Sequence, residues 1–312
     1  MQKDGVDMDL RTCFETHPYF LMEGALGERL KREYHLRFDP QVAMAKLLYE
    51  EKGAQALQAL WQEYGVIAAR HGLPFLATTP TRRANRQRVS LARCGEGVIG
   101  DNVRFLKEVL SACQGPCFAG GLMGCRGDAY TGDGALSQAD ARSFHSWQAE
   151  RFAAAGADFL FAGIMPTLPE AIGMAQAMGD TGLPYIISFT IQADGKLIDG
   201  TTIDHAIQAI DDAAPAAPLC YMANCVHPTI VRQALTQPFN RTEAVKQRFQ
   251  GIQGNTSPLS YAELDGAEDL KCAEPEDFGR DMAALLEVAD IKIFGGCCGT
   301  DGRHLEETAK HL

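Results

Sequence analysis

The 312-residue sequence lacks several features that would place it in a special class of protein. It contains no run of about 18 apolar residues, so we expect no transmembrane helix. Its first residues, MQKDGVDMDLRTC, contain no apolar segment of the kind found in secretory signals. It also has no Gly/Ser linker, low-complexity tract or shift in composition that would mark a domain boundary. We therefore expect a cytoplasmic protein with a single domain over residues 1–312.

Positive charge is scarce as well. Lysine and arginine number 29 against 40 aspartates and glutamates, which gives a formal net charge of −11. Nucleic acids and anionic membranes both favour a basic protein face, so we expect neither as a partner. Small molecules are the expected partners, and a homo-oligomer is compatible with the sequence.

The ten cysteines are expected to be thiols, because disulfides are rare in a reducing cytoplasm. Seven of them have no partner at a recognised ligand spacing, and we predict them to be buried or incidental thiols. These are Cys13, Cys94, Cys113, Cys117, Cys125, Cys220 and Cys272. The remaining three are an adjacent pair, Cys297 and Cys298, and Cys225.

Short apolar runs rich in strand-forming residues alternate with patterned helical stretches along the chain. This alternation predicts a parallel sheet, and eight repeats in about 300 residues favour a closed (β/α)8 TIM barrel over an open doubly wound sheet. The predicted strands are 19–22, 74–79, 117–121, 158–162, 185–189, 219–223, 249–253 and 291–294. The predicted helices are 54–72, 99–113, 138–155, 168–179, 203–212, 228–237 and 275–288, with at least two helices between the first two strands.

The paired cysteines follow the last predicted strand, at the barrel face where active sites lie. A vicinal disulfide would strain the peptide between them, so metal ligation suits a reduced pair better. Cys225 follows the sixth predicted strand, and three thiolates form a soft site that suits zinc and leaves a fourth position open. A tight turn without metal explains the pair on its own equally well. His227 is a further candidate ligand, but we favour a structural role for it because it points away from Cys225 in an extended strand.

The run GGCCGT at 295–300, together with Asn224-Cys225, resembles the paired signatures of the zinc-dependent homocysteine S-methyltransferase family. Members of that family use betaine, S-methylmethionine or S-adenosylmethionine as methyl donor. MEGALG at 22–27 is similar to the family's first-strand segment "DGG.GT", and ATTPT at 77–81 is similar to its "TTNTY". Segments 144–158 and 188–200 agree in the same order, so the resemblance covers nearly the whole chain.

The resemblance implies an S-methyltransferase with zinc on Cys225, Cys297 and Cys298. The implied partners are a small thiol acceptor, homocysteine by default, and a small methyl donor, so the product would be methionine, as in methionine biosynthesis. The nucleophile would be the substrate thiolate bound to zinc rather than a protein side chain, because zinc deprotonates a bound thiol. The candidate substrate-binding residues are Glu23, Gly24, Thr79, Ser188, Asn224 and Asn255, although turn formation or strand-end packing explains several of them equally well.

The sequence departs from the family pattern in three respects. Glu23 replaces an aspartate, and Gly163 replaces the strand-four glutamate that would meet the amino group of homocysteine. Losing such a charged partner costs about 1.5–3 kcal/mol. Either Glu23 acts alone, or the substrate is a different thiol or a methylated sulfur or amine compound, or the protein is a catalytically lapsed zinc-binding homologue. Arg82 and Arg83 stand where the family tends to carry neutral residues; they would attract a carboxylate or phosphate, or point into solvent from the first turn of a helix.

Overall fold

A computed structural model describes residues 8–258 and 273–312. Within these residues eight parallel strands form a closed barrel in sequential order, and the first strand pairs with the last. The predicted (β/α)8 TIM barrel with one domain is confirmed. The strands are β1 (Phe20–Met22), β2 (Phe75–Thr78), β3 (Cys117–Gly124), β4 (Phe159–Met165), β5 (Tyr185–Phe189), β6 (Cys220–Val226), β7 (Phe249–Gly254) and β8 (Ile293–Gly296).

Helices follow the strands around the outside of the barrel. Those that the sequence predicts are Glu51–Arg70, Val98–Ser111, Gln138–Ala154, Leu168–Gly179, Ile203–Ala213, Pro228–Leu235 and Pro275–Ala283. The long first connection also contains Gly27–Arg32 and the 3-10 turn Met44–Tyr49, as expected. Within residues 8–258 and 273–312, the α-helices that were not predicted are Leu10–Thr16, Arg86–Ala92, Glu243–Arg248 and Gly302–Lys310. In the described part of the chain, no helix combines the length and apolar character needed to cross a membrane.

Large apolar side chains fill the barrel interior. Phe20 and Met22 of β1 point inward together with Phe159 and Phe161 of β4, because alternate residues of a strand face the same side. The unpredicted helix Leu10–Thr16 packs on this interior cluster and closes the amino-terminal end of the barrel. A site is therefore expected at the opposite, carboxyl-terminal end, where the active sites of TIM barrels lie.

Several strands reach further toward that end than the sequence predicts. β3 continues to Gly124, β4 to Met165 and β6 to Val226, so Cys225 lies inside β6 rather than after it. β8 begins two residues later than predicted and ends at Gly296. The predicted strand ends were too early because glycine in β3, β4 and β8 and the polar Asn224 in β6 interrupt the apolar pattern, whereas the strands continue through these positions.

Candidate active site

Three cysteine sulfur atoms meet at the carboxyl-terminal mouth of the barrel. Cys225 belongs to β6, Cys297 and Cys298 follow β8, and β7 lies between the two strands. All three Sγ atoms lie within 4.8 Å of one another, and those of Cys225 and Cys297 are 2.6 Å apart. Across residues 8–258 and 273–312, this is the one group of three or more His, Cys, Asp or Glu side chains spaced to hold a metal ion. The structure thus brings together the three residues that the sequence singles out.

A distortion of β6 aims the Cys225 sulfur at its partners. Cys225 has φ 58°, a left-handed conformation that is uncommon for residues other than glycine, and the pairing with β7 shifts register between Asn224 and Val226. A matching shift in β4 puts Ile164 at φ 53°. Asn224 joins the two distortions, because its Oδ1 accepts the Ile164 N–H at 2.9 Å and the Ser188 hydroxyl at 2.6 Å.

Short-range contacts fix the backbone of the Cys297–Cys298 pair. The Thr300 hydroxyl donates to the Cys297 carbonyl at 2.7 Å, and the Asn255 side chain accepts the Cys298 N–H at 3.1 Å. Gly296 lies directly against Thr300, so any Cβ at that position would overlap the threonine side chain. The glycine next to the pair is therefore needed for close packing, and Asn255 positions Cys298.

The charges of the three thiols are coupled. Hydrogen bonds from Cys297 and Cys298 lower the pKa of Cys225. Hydrogen bonding to the Cys225 sulfur raises the pKa of Cys297, and it raises the pKa of Cys298 to about 12. One shared negative charge is accommodated in this way, but three adjacent thiolates need a cation.

A divalent ion fits this donor set, since three thiolates suit zinc and leave one coordination position open. Zn–S bonds of about 2.3 Å in tetrahedral geometry place two sulfur atoms about 3.7 Å apart. Cys225 and Cys297 would therefore need to separate by about 1 Å to share the ion.

Glu23 is the one acidic side chain among the predicted substrate-binding residues. It is only 4% exposed, and its carboxylate accepts the Trp61 Nε1–H at 2.7 Å and the Thr78 hydroxyl. Burial raises the pKa of Glu23 to about 7, although these hydrogen bonds oppose the rise. The carboxyl group therefore changes charge near neutral pH.

The other predicted substrate-binding residues have partners within the protein. Thr79 Oγ1 pairs with the Thr81 hydroxyl at 2.7 Å and accepts the Leu122 N–H at 3.1 Å. Gly24 is approached by Tyr64, whose hydroxyl would lie 2.8 Å from a Cβ at position 24. Direct contact of Thr79, Gly24 and the fully buried Ser188 with substrate thus stays a prediction.

Comparison with known proteins was made for the whole chain. Residues 20–312 match the family described as homocysteine S-methyltransferase. The chain belongs to the homocysteine S-methyltransferase family. It is accordingly an S-methyltransferase. No curated protein sequence matches this family member.

Solved structures similar to this chain include two forms of a homocysteine methyltransferase. The oxidised form of the homocysteine methyltransferase MmuM from Escherichia coli is 20% identical and superposes with a TM-score of 0.76. Its metallated form is 19% identical with a TM-score of 0.75, and each alignment covers 97% of this chain and 99% of MmuM. At this identity the match establishes the shared barrel fold.

His227 follows β6 in this methyltransferase and is not part of the cysteine cluster. Its Nδ1 pairs with the Thr229 hydroxyl at 2.7 Å and accepts the Thr229 N–H, which caps the helix Pro228–Leu235. Burial lowers the pKa of His227. These contacts agree with the structural role favoured from the sequence.

Arg82 and Arg83 lie in a turn that precedes the helix Arg86–Ala92, so their predicted position in the first turn of a helix was wrong. Arg83 is exposed and Arg82 is half-buried.

A loop after β3 covers the cysteines and was not recognised from the sequence. Ala129 packs against Ile164 and Cys225, and the Tyr130 side chain hydrogen-bonds to Cys225, whose charge raises the pKa of Tyr130. Glu170 anchors the loop by accepting the Arg126 N–H at 2.7 Å. The only local signal was the glycine-rich run GDAYTGDGA after a strand, which indicates a loop but not its direction.

Of the seven cysteines predicted to be incidental, six lie in the described residues and Cys272 lies outside them. Cys13 and Cys220 are buried, whereas Cys94, Cys113, Cys117 and Cys125 are partly exposed. Cys125 packs beside the cluster of three but is not part of it.

Proposed function

We propose that this enzyme moves a methyl group from a small donor, such as S-methylmethionine or S-adenosylmethionine, to a zinc-activated thiol in the cytoplasm. Homocysteine is the default acceptor and methionine the product. The observation that supports this most directly is the convergence of Cys225, Cys297 and Cys298 within 4.8 Å at the barrel mouth of a homocysteine S-methyltransferase family member.

The three cysteines are the proposed zinc ligands. Bound zinc would lower the pKa of a substrate thiol and present it as a thiolate, so no protein nucleophile is required. The protein holds the ligands in place through Asn255 and Asn224, and the loop residues Ala129 and Tyr130 contact Cys225. Alignment of the acceptor sulfur with the donor methyl supplies the remaining rate acceleration.

The proposed substrate contacts are Glu23, Gly24, Thr79, Ser188, Asn224 and Asn255. Among these, Asn224 would contact a ligand through its Nδ2, because its Oδ1 already accepts hydrogen bonds from Ile164 and Ser188. Glu23 would meet a cationic group only in its ionised form.

The central test is substitution of one ligand with a matched cysteine control. Zinc-reconstituted protein should contain about one zinc per chain, as expected for a single three-thiolate site. Cys297→Ala should lose both the zinc and methyl transfer, whereas Cys94→Ala, away from the cluster, should retain both. Full methyl transfer by Cys297→Ala would show that the proposed mechanism is wrong.

A second candidate function is the same zinc chemistry on a different thiol or a methylated sulfur or amine compound. Gly163 favours it, because the side chain that would bind the amino group of homocysteine is absent. A panel of donors and thiols analysed by mass spectrometry would separate the two, and rapid turnover of homocysteine would remove the reason for the alternative. A lapsed homologue would retain zinc and methylate no thiol in the panel.

A further inference from the structure

Two glycines lie side by side at the rim of the barrel mouth. Gly124 at the end of β3 and Gly163 in β4 are direct partners in the sheet. The side chain of Arg82 lies against Gly124, where a Cβ would be 2.6 Å from its Cγ and 3.4 Å from its Cδ. Arg82 therefore lies at the part of the rim where strand four carries no acidic side chain.

The guanidinium of Arg82 has no hydrogen-bond or ion-pair partner in the described part of the chain, although the side chain is half-buried. Its charge reaches the loop beside the site, since it helps to lower the pKa of Asp128. Asp128 is already committed, because its Oδ1 accepts the Tyr130 and Thr131 N–H groups at 2.8 Å. A partly desolvated arginine without a partner is well suited to bind a carboxylate.

Asn224 adds a second donor on the same side of the mouth. Its Nδ2 lies 3.8 Å from the position of a Cβ on Gly163, and its Oδ1 is occupied by two donors. The group that it presents toward Gly163 is therefore an N–H. Glu23, the acid among the proposed substrate contacts, directly follows β1, is buried, and accepts hydrogen bonds from Trp61 and Thr78.

We propose that Arg82 and Asn224 bind a carboxylate of the acceptor thiol, and that the rim beside Gly163 makes no use of an acceptor ammonium group. The enzyme then recognises thiol carboxylates as a class, and an α-amino group adds little. This inference rests on the proposed function, because it requires the thiol to be held at the three cysteines.

Three thiols of similar length test separately the contributions of the acceptor's carboxylate and ammonium groups to binding. Homocysteine carries both, 4-sulfanylbutanoate lacks the amino group, and 3-sulfanylpropan-1-amine lacks the carboxylate. Each is titrated into zinc-loaded protein by calorimetry, without a methyl donor, so that a carboxylate on the donor cannot account for the result. We expect 4-sulfanylbutanoate to bind within about threefold of homocysteine and the amine to bind at least about tenfold more weakly, from the worth of a charged hydrogen bond.

Arg82→Gln should weaken the binding of homocysteine and 4-sulfanylbutanoate by about 10- to 150-fold, since hydrogen bonds to charged groups are worth about 1.5–3 kcal/mol. It should leave the affinity for 3-sulfanylpropan-1-amine unchanged. The control is Arg83→Gln, which removes an exposed neighbouring charge and should change none of the three affinities. Gly163→Glu should invert the preference and favour the amine. A Cβ at position 163 would lie 3.0 Å from Cδ1 of Leu122, the flexible end of that side chain, and its next neighbour, Phe161, would be 3.6 Å away.

Equal binding of all three thiols, or identical behaviour of Arg82→Gln and Arg83→Gln, would overturn the carboxylate assignment and leave the proposed function intact. If zinc-loaded protein binds none of the thiols, the proposed function and this inference both fail.

Discussion

Replacement of Glu23 by glutamine should change how the stability of the protein depends on pH. Burial raises the pKa of this carboxyl to about 7 from a usual 4.5. Between these values the folded protein keeps a proton that the unfolded chain has released, so the folded state loses stability as pH rises. A difference of about 2.5 units corresponds to about 3 kcal/mol, most of it lost between pH 5 and 7. Glutamine has a similar shape and cannot ionise, so Glu23→Gln should remove this loss.

The assay is urea unfolding of wild type and Glu23→Gln from pH 5 to pH 8, with a chelator present to keep metal from contributing. The stability advantage of the variant should grow by about 2–3 kcal/mol across this range. Glu150→Gln, at an exposed position, serves as the control and should run parallel to wild type. Parallel curves for Glu23→Gln and wild type would refute the reasoning that burial controls this carboxyl.

Three further substitutions test the contacts around the site. Trp61→Phe removes the indole N–H that donates to the buried carboxylate, so urea unfolding should show a loss of about 1.5–3 kcal/mol at pH 8 and less at pH 5. Asn224→Ala leaves the buried Ile164 N–H without its acceptor and should cost about 1–3 kcal/mol and reduce zinc content, measured by urea unfolding and metal analysis. Gly296→Ala drives a methyl group into Thr300, so it should cost about 1–3 kcal/mol and lower zinc affinity, measured by chelator competition.

Gly97→Ala is a suitable control for these variants, because a Cβ there meets only Asp101 at 3.7 Å, an ordinary contact distance. An equal loss at both pH values for Trp61→Phe would show that its bond to the carboxylate does not depend on ionisation. Unchanged zinc binding in Asn224→Ala or Gly296→Ala would mean that these contacts do not position the cysteines.

The sequence predicts the elements of this barrel well where the local pattern is sufficient. β5 is Tyr185–Phe189, and the helix after β4 is Leu168–Gly179, both with the predicted bounds. The carboxyl ends of the strands were harder to predict. In β3 the pair Gly120 and Gly121 was read as a strand end, but a Cβ at these positions would overlap the rings of Phe159 and Phe152. Those glycines accommodate packing between strands and helices, which no local pattern records.

The cysteine cluster was predictable because its members lie at the carboxyl ends of two strands of a closed barrel, and closure fixes which strand ends are near each other. The partners of Glu23 were not predictable in the same way. Trp61 is 38 residues away on a helix and Thr78 is 55 residues away on β2, so their contacts depend on how the helix packs on the sheet. The position of the Arg82 charge at the rim likewise depends on packing of its side chain against Gly124 of β3, 42 residues away in the sequence.

If the three cysteines bind zinc as proposed, the two strand distortions make metal binding and substrate recognition difficult to separate in this enzyme. Cys225 keeps its left-handed backbone only while β6 retains its register shift, and Asn224, the residue before it, is held by Ser188 of β5 and Ile164 of β4. The same Asn224 presents its amide N–H toward Gly163. A ligand that binds this N–H therefore acts on the segment that positions the Cys225 sulfur. It follows that zinc affinity and thiol affinity should change together when Asn224 is altered, whereas Arg82, which is not part of this segment, should affect thiol affinity alone.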